Sequence, residues 1–257
     1  MVRSQYGVPL ARFEKSQGDF ATATDLEAEK IILGVLQAAR PEDVVVGEES
    51  GRTGSGRPER VWLVDPMCGT LNYAVRSMLV SVNVALRTGE EVTVAASADP
   101  FTDEVFWTDG AHAFVRRNGE DHQLMPSAQS RLVEVNLDPP FPNAPAFRAV
   151  RLLAEPGFIE TFRPRVVSTT LAVAWVAAGR RAAYVTDGQL LQDSVHFASG
   201  IALCLAAGCV VTGIHGQPLH TGAGGLVVAA DQETHSILLK LIGNQFATEV
   251  VPESYCA

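Results

Sequence analysis

The sequence predicts an α+β fold whose second half turns to α/β. Two observations lead there. Strand-like runs at Val80–Arg87, Val92–Ala98, Glu104–Trp107 and Ala113–Arg117 follow one another across short turns, the pattern of an antiparallel meander. Beyond about residue 130, short apolar strands alternate with helical stretches. A chain of 257 residues with 47% hydrophobic and 19% charged content has enough apolar surface to bury a substantial core around both patterns.

Taken in order, Gly18 to Asp25 leads into a helix predicted over Leu26 to Ala39. Thr24 or Asp25 suits its N-cap, and Ile31, Ile32, Val35 and Leu36 form an apolar face. Val44-Val45-Val46 reads as a buried strand ending at Glu48. Gly51 to Glu59 is polar and glycine-rich, which predicts a mobile loop between strands. Its Arg52, Arg57 and Arg60 could reach an anion, although a solvated loop is the plainer account. Val61-Trp62-Leu63-Val64 then delivers Asp65 to a Pro/Gly turn where a helix can begin.

The meander follows, closed by an Asn118-Gly119 turn. Met125 to Gln129 reads as a hinge between an N-terminal α+β half, 1–125, and a C-terminal α/β half, 126–257. In the second half, strands are expected at Val133–Leu137, Val166–Ser168 and Ala182–Val185. Helices are expected at Phe147–Ala154, Thr169–Ala178, Val195–Ala207 and Glu233–Leu241, with Gly179 and Gly208 as C-terminal caps. No internal repeat or low-complexity tract interrupts this order.

A formal charge of −9 leaves no basic surface for nonspecific nucleic-acid binding. No run approaches the ~18 apolar residues of a membrane span, and the N-terminus lacks an apolar signal core. Cys68, Cys204, Cys209 and Cys256 make no CxxC pair, so reduced thiols in a cytoplasmic protein are expected.

Chemistry concentrates in Gly47-Glu48-Glu49-Ser50 and Asp65-Pro66-Met67-Cys68-Gly69-Thr70-Leu71-Asn72. Carboxylates at strand ends hold hard cations, and the N–H groups of Gly69 and Thr70 at a helix start can cradle a phosphate. Alternatively, Glu48 and Asp65 merely cap strand ends. No G-x-S-x-G elbow, Walker motif or nucleotide fingerprint competes, and Cys68 to Arg76 is too long for a C-x5-R phosphatase loop.

These motifs resemble the G-E-E and D-P-[hydrophobic]-D-G-T-x-N signatures of the inositol monophosphatase superfamily. Asp19–Asp25, Ala98-Asp99-Pro100 and Ala206-Ala207-Gly208 resemble further family segments, and the likeness spans about Gly18 to Ile242. The N-terminus is short, so much of the family's first helix is missing. The resemblance implies a layered α/β/α/β/α sandwich, a homodimer, and a Mg²⁺-dependent phosphomonoesterase acting on a small phosphorylated metabolite. It implies a first metal on Glu48, Asp65 and the Met67 carbonyl, with Thr70 helping Glu48 orient water. Ser168 keeps the family's Ser/Thr near the substrate.

The departures fall on the second metal. Cys68 stands where the family has Asp, and a thiolate suits Zn²⁺ better than Mg²⁺. The remaining ligand position falls on Asp193 when counted forward from Tyr184 and Gly188, and on His196 when counted backward from Ala206-Ala207-Gly208. Thr186 matches a position that elsewhere carries an acid for ring hydroxyls, and Ala172 replaces a frequent Asp. Three readings stay open: a phosphatase with an altered second site, an enzyme repurposed for thiol or acid–base chemistry by Cys68 with His196, and a catalytically silent binding relative. An inert buried thiol and a structural histidine are the bland accounts of these two residues.

Overall fold

The computed structural model describes residues 1–16, 19–137, 148–188, 191–219, 221 and 224–247. Three N-terminal elements that the sequence did not announce come first: α1 (Val2–Gln5) and a hairpin of β1 (Arg12–Ser16) and β2 (Asp19–Thr22). Helix α2 (Ala23–Ala39) begins earlier than predicted, and its N-cap is Thr22, not Thr24 or Asp25. The Thr22 hydroxyl accepts from the Thr24 N–H, while Asp25 at the third helical position accepts the Thr22 N–H at 2.8 Å, a reciprocal capping box.

The predicted apolar face of α2 does not supply its buried side. Ile31 and Val35 are exposed, the latter by 64%, and the buried residues are Thr24, Asp25, Ala28 and Glu29. Asp25 and Glu29 are buried because they bond to the turns that carry the motifs described below.

Strands β3 (Asp43–Gly47), β4 (Gly51–Thr53), β5 (Arg57–Cys68), β6 (Ser81–Thr88), β7 (Glu91–Asp99), β8 (Glu104–Thr108), β9 (Ala113–Arg117) and β10 (Glu120–Gln123) form one sheet in the order β10-β9-β8-β7-β6-β5-β3-β4. Only β3 and β5 pair in parallel; the rest is the antiparallel meander. Much of the segment read as a mobile loop is therefore sheet. Arg60 pairs with Asp43 at 2.9 Å, and the Trp62 indole N–H donates to the same carboxylate. Asn118 and Gly119, with φ of 51° and 83°, make the expected hairpin turn between β9 and β10.

The second sheet runs β12-β11-β13-β15-β14, from β11 (Leu132–Val135), β12 (Arg163–Val166), β13 (Ala183–Thr186), β14 (Val210–Thr212) and β15 (Leu226–Ala229). β12 lies earlier than predicted, and β14 and β15 were not foreseen. Side chains alternate strictly along β13. Ala183 and Val185 enter an outer core with Phe158, Leu238 and Ile242, while Tyr184 enters the central one.

Helices α6 (Leu171–Ala177) and α7 (Ala198–Ala207) lie between the two sheets, and α2 covers the first sheet from outside. The second sheet is covered by α4 (Ala149–Leu152), α5 (Pro156–Thr161) and α8 (Gln232–Ala247), of which α5 was not predicted. The short α3 (Thr70–Ala74) follows β5. The result is a layered α/β/α/β/α sandwich. Its central core joins Phe106 and Val115, on the near side of the 125–129 connection, to Leu171, Val176, Phe197, Leu203 and Tyr184 beyond it.

Cys68, Cys204 and Cys209 are free thiols; Cys256 and part of the helix expected from Phe147 lie outside the described residues. Among the described residues no helix is long and apolar enough to cross a membrane.

Thr22 is fully buried and serves both the cap and the Asp25 carboxylate, so Thr22→Ala should destabilise the protein by about 1–2 kcal/mol. Urea unfolding checks this: the midpoint should fall with the slope unchanged, and Thr22→Ser should retain most of the stability.

Candidate active site

Parallel pairing of β3 with β5 brings the two sequence motifs side by side. The Glu48 N–H donates to the Val64 carbonyl at 3.0 Å, which fixes Glu48 beside the end of β5. The turn after β3 is held from α2, where the Glu29 carboxylate accepts the N–H groups of Glu49 and Ser50 at 2.9 and 2.8 Å. A Cβ at Gly47 would lie 2.6 Å from that carboxylate, which explains the glycine before the two glutamates.

At the end of β5 the register with β6 slips between Asp65 and Cys68, a bulge that re-aims both side chains. Asp65 is completely buried. Its Oδ1 accepts the Met67 N–H at 3.0 Å, and its Oδ2 lies 2.7 Å from His196 Nδ1. The Cys68 Sγ accepts the Thr170 N–H at 3.3 Å, from the lead-in to α6. Gly69 then turns the chain at φ 100°, where an added Cβ would strike the Leu79 carbonyl at 2.7 Å. Asn72 ties this turn to the second half by donating to the Leu79 and Ser168 carbonyls at 2.9 and 2.7 Å.

The Thr70 hydroxyl lies 3.0 Å from Asp25 Oδ1 and 3.3 Å from the Met67 carbonyl, and it donates to one or the other. Burial raises the Asp25 carboxyl above its ordinary pKa, against the lowering effect of hydrogen bonds from Thr22 and Thr70. The sequence offered Asp25 as a helix cap and as the end of a family-like segment, with no stated role beside Thr70. The Thr22-x-x-Asp25 spacing signals a capping box and gives no hint that the second carboxylate oxygen serves Thr70.

Charge at the site is unevenly compensated. Glu48 is pushed up to about 8, mainly by burial and then by the negative charge of Asp65. Burial would lower His196, but the charge and hydrogen bond of Asp65 outweigh it and hold the imidazole up at about 9. Burial, followed by Asp65, raises the Cys68 thiol well above its usual range. Lys15 from the β1–β2 hairpin lies 2.9 Å from Glu48 and 2.7 Å from Glu49. Burial opposes its charge, yet these two partners hold the ammonium above its ordinary pKa. No motif marked Lys15 in the sequence.

Of the two candidates for the last ligand position, His196 is the one beside Asp65. Asp193 sits in a 3-10 turn (Leu191–Asp193), where its exposed side chain pairs with Arg87 at 2.9 Å. Helix α7 starts at Ala198, later than the predicted Val195, so both candidate positions precede it. Thr186 is buried on β13 and its hydroxyl donates to the Asp187 carbonyl at 3.0 Å. Ser168 contributes its carbonyl to Asn72.

Beneath these groups lies a buried polar seam that sequence reading missed. Asn83, opposite Asp65 on β6, donates to Thr170 Oγ1 at 2.9 Å and accepts from Ser97 and Ser199 at 2.8 and 3.2 Å. Ser81, Asn83 and Ser97 fall on buried positions of alternating strands, a signal available from the period-two pattern.

A profile of the inositol monophosphatase family matches residues 1–246. The chain is 29% identical over 232 residues to an inositol-1-monophosphatase of Caulobacter vibrioides, with 88% of each chain covered. It is 27% identical over 227 residues to Nus factor SuhB of Vibrio cholerae, covering 88% and 83%. Among solved structures, the extragenic suppressor protein SuhB of Bartonella henselae superposes with a TM-score of 0.80 at 24% identity, over 94% of this chain and 92% of that one. An IMPase of Thermotoga maritima superposes with a TM-score of 0.77 at 19% identity, over 95% and 93%. With the motifs, the layered sandwich and a family match over nearly its full length, the chain belongs to the inositol monophosphatase family.

Proposed function

We propose that this protein hydrolyses small phosphate monoesters with the help of a divalent cation. The observation that carries the reading is the convergence of Glu48, Asp65, the Met67 carbonyl and the Thr70–Asp25 pair at the adjoining ends of β3 and β5. These oxygens fit a hard cation. The Glu48 carboxyl is raised first by burial and then by the charge of Asp65, and a cation bound between the two would offset both. Glu48, Asp65 and the Met67 carbonyl would hold Mg²⁺, which when bound supplies an activated water and positive charge for the phosphoryl oxygens.

The chain's own residues do the positioning. With its hydrogen directed at Asp25, the Thr70 oxygen is free to accept from a water molecule, and the water's proton can pass through Thr70 to Asp25. Burial makes Asp25 a stronger proton acceptor than an exposed aspartate. The N–H groups of Gly69 and Thr70 bind the phosphate, on the side where Asn72 anchors the Ser168 segment. Thr186 offers no carboxylate for ring hydroxyls, so the substrate need not be inositol phosphate. The Nus-factor name of the Vibrio cholerae relative belongs to that protein; a net charge of −9 favours a small-molecule substrate here. The thiol reading is less well supported, because His196 engages Asp65 and burial keeps the Cys68 thiol protonated.

The test is phosphate release from a panel of sugar, inositol and nucleotide monophosphates with Mg²⁺ or EDTA. Metal-dependent turnover is expected; silence across the panel would sink the reading. Thr70→Val and Asp25→Asn should each lower kcat by about 10²–10⁴ with little change in KM. Lys15→Met should lower the Mg²⁺ concentration for half-maximal activation several-fold, because the ammonium pairs with a cation ligand.

In EDTA, both Glu48 and His196 bind protons more tightly folded than unfolded. The stability this confers is complete below about pH 4.5 for Glu48 and about pH 6.5 for His196, and fades as pH rises through their folded values. The melting temperature of chelated protein should therefore fall from about pH 5 to about pH 9, less steeply in Glu48→Gln.

A further inference from the structure

The Asp65, Cys68 and His196 side chains each present one ligand atom, and these atoms all lie within 4.8 Å of one another. We propose that Asp65, Cys68 and His196 form a binding site for a borderline-soft divalent ion of the Zn²⁺ class, with one coordination position open to water or to a substrate oxygen. Any catalytic part for that ion rests on the phosphomonoesterase reading; its binding does not.

The donor set argues for the ion class. One carboxylate oxygen, one sulfur and one imidazole nitrogen satisfy a tetrahedral Zn²⁺ or Co²⁺, whereas Mg²⁺ demands near-octahedral oxygen ligation. The geometry is also close to that of a ligated site. His196 Nδ1 and Asp65 Oδ2 stand 2.7 Å apart, against roughly 3.3 Å between two tetrahedral ligands of one zinc ion. Opening that gap takes less than an ångström and replaces a shared proton by the metal.

The surroundings suit a ligated state. Asp65 Oδ1 is tied to the Met67 N–H, which leaves Oδ2 as the oxygen facing His196. The Thr170 N–H pointing at the Cys68 sulfur at 3.3 Å would stabilise a thiolate, the form in which cysteine binds metal. Asp65 is completely buried, while the His196 side chain is 34% exposed, so the cluster is rooted in the core and open on one side. Three protein ligands beside an accessible position describe a zinc site that exchanges ligands, not a closed structural one.

The experiment uses the full chain, stripped with chelator and dialysed against Zn²⁺ or Co²⁺ in a large excess of Mg²⁺. Elemental analysis should find one Zn²⁺ or Co²⁺ retained per chain, and the Co²⁺ form should show sulfur-to-cobalt charge-transfer absorption. Cys68→Ser should abolish that absorption. Cys68→Ser and His196→Ala should each weaken Zn²⁺ retention by more than the roughly 10–100-fold typical of changes outside the coordination shell. Cys68→Asp should lose the charge-transfer band and shift preference towards Mg²⁺. Circular dichroism establishes that each variant is folded, and the wild-type spectrum decides the matter if one is not. Folded wild type that retains no Zn²⁺ and shows no band overturns the proposal, as does equal retention by folded Cys68→Ser. No readout here depends on phosphate release, so a missing metal site and a missing phosphatase activity are told apart.

Discussion

A carboxylate with no solvent access must be compensated, and Asp65 imposes that requirement on the rest of the molecule. Removing an ionised group from water costs several kcal/mol unless hydrogen bonds and opposite charge replace the lost hydration. One oxygen is satisfied locally, by the bulge that folds the Met67 N–H back on it. The other is satisfied from 131 residues away, by His196. The end of β5 and the lead-in to α7 are therefore coupled electrostatically, and that lead-in cannot shift relative to the first sheet without exposing that cost. Glu48, placed alongside by the parallel β3–β5 pairing, adds a second acid whose charge Asp65 resists.

The polar seam under the site makes the coupling rigid. Asn83 bonds the strand opposite Asp65 to Thr170 before α6, and with Ser97 it reaches Ser199 in α7. Buried hydrogen bonds of this kind gain little net energy, but leaving one partner unmatched is costly, so the network selects a single seating of both helices. The Thr170 N–H on Cys68 and the approach of His196 to Asp65 are outcomes of that seating. On the other face of the sheet, α2 directs Asp25 to Thr70 and Glu29 to the Glu49 turn. The site is thus assembled from a helix in front, strands in the middle and two helices behind.

What was legible in the sequence was whatever a short window encodes. The meander, the Asn118-Gly119 turn and the strand leading to Asp65 follow from local periodicity and turn chemistry. The layered sandwich and the motif positions came through resemblance. What was illegible depended on long-range pairing. The apolar run of α2 suggested a buried face, yet the helix buries its polar residues because their partners lie in turns 20 and 45 residues away. Lys15 has no local signature, since its meaning arises only when the β1–β2 hairpin brings it to Glu48. Asp193 and His196 differ by three residues, and only the observed start of α7 shows which one meets Asp65.

Cys68 and His196 beside Asp65 make a cluster whose charge protons alone can balance. With a protonated thiol and an imidazolium, the negative charge of Asp65 is balanced and the three side chains together are neutral. Losing both protons would leave a net charge of minus two, which one divalent cation neutralises. Protons can thus take the place of a metal at the buried acid that ends β5, with His196 as its partner. The same neutrality sets the competition: an ion must bind sulfur and nitrogen strongly enough to displace two protons. Thiolate and imidazole reward Zn²⁺-class ions for that displacement and give Mg²⁺ little return. Glu48 and the Met67 carbonyl offer oxygen donors alone, so on the proposed readings two adjoining positions sharing Asp65 would select different ions by chemistry alone.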